Sequence, residues 1–146
     1  MSRGGDEHGK KEEERLGVLL WFRFSRFYNR NMKLTNQNLR AVGISTAQFD
    51  CIAQIGLDKE ITQQQLAEKL VVTKGNVTQL LAKLEQLGYI TRTKTGREKH
   101  ITLTEKGQAC YRENVPKQEA FQQAQFDKLT RDEQKELLKL LKKLGE

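Results

Sequence analysis

The chain has 146 residues and a formal net charge of +7, from 26 Lys and Arg against 19 Asp and Glu. That length fits one domain with a sizeable core, and the basic balance favours a polyanionic partner. No apolar run approaches the ~20 residues of a membrane span, and the opening MSRGGDEHGKKEEER has no hydrophobic segment behind it, so neither a spanning helix nor a signal peptide is expected.

Residues 1–14 read as a polar tail. Residues 15–34 form a helical pattern in which Leu16, Leu19, Leu20, Trp21, Phe22, Phe24, Phe27 and Tyr28 make an apolar surface too wide for one buried face. Such a helix needs two neighbours, one of which can come from another subunit. Arg23, Arg26 and Arg30 share a second face, either a solvated stripe or part of a DNA or partner surface. Ser45-Thr46-Ala47-Gln48 is a capping box opening a second helix, with Phe49, Ile52, Ala53 and Gly56 on one side. A third helix opens at Thr62, with Gln65 completing its box, and runs to about Leu70. Gly88 stops a fourth.

Residues 90–94 and 99–103 then read as strands around Thr95-Gly96-Arg97-Glu98, where Gly96 supplies the turn. A helix is expected over residues 104–126, kinked or interrupted at Pro116, which removes an amide donor. Thr130-x-x-Glu133 is a further box before a terminal helix carrying Leu137, Leu138, Leu140, Leu141 and Leu144. The expected fold is mainly α with a small β-hairpin.

The stretch from Thr62 to Thr104 has the order helix, turn, helix, β-ribbon, which suits a reader of duplex DNA. Leu66, Leu70, Val72, Val77 and Leu80 are spaced to lock two helices together, and Ala67 lets them cross closely. Val71 stands in the turn where many such units have Gly. In the second helix Val77, Leu80, Leu81, Leu84 and Leu87 share one face, and Gly75, Thr78, Gln79, Ala82, Lys83 and Gln86 form an opposite face without an acid. Gln79 can pair with adenine, and Thr78 can hydrogen-bond a base or touch a thymine methyl. Thr73 is placed as the N-cap, leaving first-turn amides outward for a phosphate. Around the ribbon turn lie Arg92, Lys94, Arg97, Lys99 and His100, suited to phosphates or a narrow minor groove. Edge-strand protection is an alternative use for Lys94 and Lys99. Residues 63–103 hold seven Lys or Arg against three acids, so the basic excess is densest where the motif lies.

LAEKLVVTKGNVTQLLAKLEQLGYITR resembles the recognition unit of the multiple-antibiotic-resistance regulator (MarR) family, and ITLTEKG, residues 101–107, resembles that family's junction from last strand to long helix. The resemblance covers nearly the whole chain from Arg15. It implies one domain over residues 15–146, with a winged helix–turn–helix at about 45–104 and dimerisation helices at about 15–35 and 104–146. It also implies a homodimeric, cytoplasmic transcriptional regulator, usually a repressor, on double-stranded DNA with an inverted-repeat operator. Carried over by position, Thr73, Lys74, Asn76, Thr78, Gln79 and Lys83 become the groove-facing set, and Arg97 becomes the wing arginine. The family's wing often reads Asp-Arg-Arg; here Thr95-Gly96-Arg97 stands there, without the bracing Asp. A small aromatic or anionic effector is implied, for which Trp21, Phe24, Tyr28, Phe49 and Tyr111 are pocket candidates, with plain core and dimer packing as the alternative.

Other classes have less support. There is no GxGxxG, P-loop, GxSxG or HExxH, and His8 and His100 lie in the tail and on the ribbon. No enzyme, cofactor or metal site is expected. Cys51 and Cys110 form no Cys-x-x-Cys or Cys/His cluster, which points to reduced thiols. Cys51 lies mid-helix beside apolar neighbours, and no cysteine opens the first helix as in redox-sensing relatives, so thiol-redox control stands as an alternative only. A winged-helix protein–protein adaptor is the other alternative; it has no general need for an acid-free helix face beside a basic ribbon.

Overall fold

Helix caps and glycine stops divide the chain into short, well-bounded elements. The computed structural model describes residues 15–70 and 74–145, and of Lys74 and Gly75 the backbone alone. Val71, Val72 and Thr73, assigned above to the turn and N-cap, lie outside the described residues, as do the expected tail and the side chain of Lys74. Two compact units meet at Val42–Gly43.

In the first unit α1 spans Leu16–Arg40. It runs past the expected end at Leu34, because residues 35–40 contain neither Pro nor Gly and the first left-handed residue is Gly43 at φ 79. The broad apolar surface is real: Trp21 is 71% exposed, and Leu20, Phe22, Phe24 and Tyr28 are also exposed.

The second unit starts with α2 (Thr46–Asp58), β1 (Ile61–Thr62) and α3 (Gln63–Lys69). The first two of the three predicted capping boxes form here. Ser45 and Gln48 exchange their two bonds at 3.1 Å, as do Thr62 and Gln65. After α4 (Lys74–Gln86), strands β2 (Ile90–Thr95) and β3 (Glu98–Leu103) close on the two-residue turn Gly96-Arg97. The hairpin is one residue longer on each strand than expected, since Thr95 pairs with Glu98. Gly96 has φ 63 and Arg97 is not in the left-handed region, the pattern of a II′ turn, in which Gly takes the first central position.

The hairpin is not alone. β1 pairs antiparallel with β3, Ile61 against Ile101 and Thr62 against His100, giving a three-stranded sheet in the order β1-β3-β2. Two residues are too short to show strand alternation, so the sequence carries no sign of β1.

The core of this unit gathers Ile52 and Ile55 of α2, Ile61, Leu66 of α3, Val77, Leu81 and Leu84 of α4, Ile90, Ile101, and Cys51 and Cys110. Each fully buried aliphatic contributes about 1.5–3 kcal/mol relative to exposure. Helix α5 (Glu105–Ala124) is not interrupted at Pro116, which sits within it. Pro116 is exposed, so water can satisfy the Arg112 carbonyl that loses its amide donor. Helix α6 (Arg131–Gly145) follows the Thr130–Glu133 box, whose bonds measure 2.8 and 3.2 Å. It exposes Leu138, Leu140, Leu141 and Leu144.

Four residues join α4, the sheet and α5. Gly88, at φ 85, ends α4 in a Schellman motif: its amide donates to Glu85 O at 3.0 Å, and the Tyr89 amide donates to Leu84 O at 2.9 Å. The Thr104 amide donates to Tyr89 O at 3.0 Å; its hydroxyl donates to Gly88 O at 2.6 Å and accepts from the Gly107 amide at 3.1 Å. Gly107 sits so close that a Cβ there would collide with the Tyr89 carbonyl and crowd Leu103. Gly107→Ala is therefore expected to cost about 2–3 kcal/mol through overpacking against backbone. Thermal unfolding should show a Tm lowered by roughly 5–10 °C; an unchanged Tm would contradict the close packing.

Candidate nucleic-acid interface

Helix α4 has the two-sided character its sequence implies. Val77, Leu81 and Leu84 are buried, while Asn76, Thr78, Gln79, Ala82, Lys83 and Gln86 are exposed. Leu80 and Leu87 are half-buried at the border. Asn76, Gln79 and Lys83 meet Ala47 and Gln48 of α2 along an open cleft of about 290 Å³. The start of α2 thus borders the outer face of α4, a neighbour that reading the helix–turn–helix alone does not bring in.

A second unanticipated neighbour is Gln63, the first residue of α3. Its Nε2 donates to Thr78 Oγ1 at 3.1 Å. The bond crosses between the two helices, so no local pattern announces it. It ties Thr78 to a neighbouring element and fixes where its hydroxyl and methyl stand on the outer face.

The wing sorts its charges by strand alternation. The register pairs Ile90 with Leu103, Arg92 with Ile101 and Lys94 with Lys99. Side chains two apart share a face, so these cations lie on the face whose Ile90 and Ile101 enter the core. The other face pairs Thr91 with Thr102, Thr93 with His100 and Thr95 with Glu98. There the two threonine hydroxyls hydrogen-bond at 2.9 Å, and His100 lies 3.0 Å from a Glu60 oxygen and 3.4 Å from Glu98. His100, grouped above with the basic tip, is turned away from it toward carboxylates. Lys94, Lys99 and Arg97, the last at the turn itself, are exposed.

Arg92 has a different setting from the other wing cations. Its Nε and Nη2 donate to the two oxygens of Glu85, each at 3.2 Å. The Arg92 donors hold the Glu85 carboxyl below the usual carboxylate range. Glu85 is the acid on α4, and this pair neutralises it. At the helix end, Lys106 Nζ donates to Leu87 O at 2.7 Å and stands 4.6 Å from the Tyr89 ring centre, a cation placed where the helix dipole is negative.

Among the pocket candidates, Trp21, Phe24 and Tyr28 are exposed on α1. Phe49 is buried in the second unit, and Tyr111 is half-buried there against Gly56, where a Cβ would strike its ring.

The cysteines are shielded. Cys51 is 0% exposed, and burial, aided by Asp50, pushes its thiol up to about 12. Cys110 is buried as well, and burial raises its thiol, only partly offset by the hydrogen bond from Asn114. Both stay protonated at neutral pH, where the thiolate is the reactive form. A maleimide or peroxide should therefore leave the folded protein unmodified at pH 7–8 and react after unfolding. Rapid native labelling seen by mass spectrometry would contradict this.

Two crossed helices, a polar outer helix face and a basic two-stranded wing define the winged helix–turn–helix class of DNA-binding proteins. The MarR family model matches residues 42–99. A HTH-type transcriptional regulator of Bacillus cereus, uncharacterised by its own description, is 42% identical over 130 residues, which is 88% of each chain. Mutant MarR from E. coli, complexed with operator DNA, aligns with a TM-score of 0.78 at 26% identity, over 89% of this chain and 96% of that one. The organohalide-sensing RdhR regulator in its 2,4-dichlorophenol-bound form aligns with a TM-score of 0.77 at 25% identity, over 88% of this chain and 79% of that one. This chain belongs to the MarR family of HTH-type transcriptional regulators.

Proposed function

We propose that the protein is a ligand-responsive repressor that acts in the cytoplasm as a homodimer on an inverted-repeat operator. The observation that carries the DNA reading is the Lys94–Lys99 cross-strand pair together with an α4 outer face that exposes Asn76, Thr78, Gln79, Ala82, Lys83 and Gln86, the one acid there, the exposed Glu85, being paired to Arg92. Like charges directly opposite on a ribbon destabilise it by roughly a few tenths of a kcal/mol. A polyanion lying across them removes that repulsion, while a protein-docking wing has no need of it.

In this reading α4 enters the major groove. Asn76, Thr78, Gln79 and Lys83 face the bases and adjoining backbone, with Thr73 and Lys74 at the helix start. Lys94, Arg97 and Lys99 of the wing contact the flanking phosphates or minor groove. Residues 15–146 work as one domain, with the winged unit at about 45–104.

Dimerisation is supported by the exposed Leu20, Trp21 and Phe22 of α1 and by Leu138, Leu140, Leu141 and Leu144 of α6. Several large exposed apolar side chains on one helix mark an association site. A two-fold dimer places half-site centres about one turn, roughly 10 bp, apart. The dichlorophenol seen in the RdhR relative supports an aromatic effector here, with Trp21, Phe24, Tyr28, Phe49 and Tyr111 as the residues to test. The shielded thiols favour this ligand response over redox control.

A salt titration with duplex DNA tests the wing. Arg97→Ala should weaken binding about tenfold on every sequence and lower the slope of log K against log salt by about 0.9, the loss of one phosphate contact. An unchanged slope would take Arg97 off the backbone. Gln79→Ala should instead relax base preference: operator variants differing at one adenine, separated by about 1–3 kcal/mol for the native protein, should converge. A preserved ranking would exclude Gln79 from base reading. No retention of the native protein on mixed genomic duplex at low salt would favour the adaptor alternative.

A further inference from the structure

One wing arginine is held by an acid of the neighbouring helix. Arg92 lies in mid-strand on β2, opposite Ile101, on the ribbon face that turns toward the core. Its guanidinium meets Glu85 of α4 in a two-bond fork, both bonds 3.2 Å long. Arg92 is the less exposed partner, with a side-chain exposure of 21% against 44% for Glu85. Lys94, Arg97 and Lys99 are all exposed. The ribbon is fixed at its base by Ile90 and Ile101 in the core and by β1 along β3. Beyond that base, the fork is a polar tie from the ribbon to α4.

We propose that Arg92 is a positioning residue and no phosphate contact: its fork with Glu85 sets the angle between the wing and helix α4, so that Arg97 reaches the DNA backbone while α4 lies in the groove. The proposal rests on the reading of α4 and the wing as DNA-contacting elements. The geometry explains two things together. An acid beside a DNA-reading surface should repel phosphate, and the pairing with Arg92 neutralises the Glu85 charge. The tip, Thr95-Gly96-Arg97, has no acid of its own before Arg97, and the constraint is applied two residues before Lys94 by the Arg92–Glu85 pair. A planar five-donor guanidinium suits this task, since a fork fixes direction as well as distance.

The full-length protein, titrated with a mixed-sequence duplex of about 30 bp over a salt series, separates this from a direct contact. Glu85→Gln removes a negative charge and keeps the shape. If Arg92 were a phosphate contact restrained by Glu85, the variant would bind more tightly and with a steeper salt slope. Positioning predicts the opposite: binding about tenfold weaker and a slope lowered by about 0.9, as for Arg97→Ala. Arg97→Ala added to Glu85→Gln should then cost little more, whereas Gln79→Ala added to it should act independently on base preference. The exchange Glu85→Arg with Arg92→Glu should recover most of the lost affinity, which shows that the fork matters and not either residue alone. Equal or tighter binding by Glu85→Gln, or full additivity with Arg97→Ala, overturns the proposal and leaves the DNA reading standing. Failure of the native protein to bind the duplex at low salt overturns both.

Discussion

The hydroxyl of Thr104 holds together the elements on which the rest of the winged unit depends. It accepts from the Gly107 amide and so starts α5, and it donates to the Gly88 carbonyl and so fixes the end of α4. Its own amide bonds Tyr89, where β2 begins. One short side chain thus sets the relative positions of the outer helix, the ribbon and the long helix behind them. The arrangement works because the neighbours are small. Gly88 takes the left-handed conformation that a Schellman motif needs, and Gly107 allows the Tyr89 carbonyl to approach where any Cβ would block it.

Around that junction, ordinary strand periodicity distributes charge. On one face of the ribbon Arg92, Lys94 and Lys99 follow Ile90 and Ile101; on the other, Glu98 and Glu60 flank His100. A one-residue slip would bury the wrong side chains and turn the cations away from α4. The buried Ile90 and Ile101 therefore fix the register, and through it the side on which positive charge appears. Packing in the core and presentation of charge at the tip are consequences of the same alternation.

Much of this was legible in the chain. The boxes at Ser45, Thr62 and Thr130, the leucine face of α4, the stop at Gly88 and the turn at Gly96 are local features, each read over a window of a few residues. The features without a signal in the sequence are not local. β1 is two residues long and exists only because β3 lies beside it. The bond from Gln63 to Thr78 needs two helices to cross first. In the sequence Arg92 is one more wing cation; only the fold sets the Glu85 carboxylate of α4 against its guanidinium. Of the kink or interruption expected at Pro116, the interruption does not occur: an exposed carbonyl can be hydrated and the helix continues.

The sequence by itself determined the family, the order of the helices and the hairpin, the apolar and polar faces of α4 and a basic ribbon behind it. Caps, turns and periodicity act between residues close in sequence, and their physics is the same in any fold. Tertiary structure decided which polar groups meet: Thr78 with Gln63, Glu85 with Arg92, Lys106 with the end of α4. Those meetings depend on how helices cross and how a twisted ribbon aims its side chains. Distances of a few ångströms between remote residues settle whether a charge is spent inside the protein or left for a ligand.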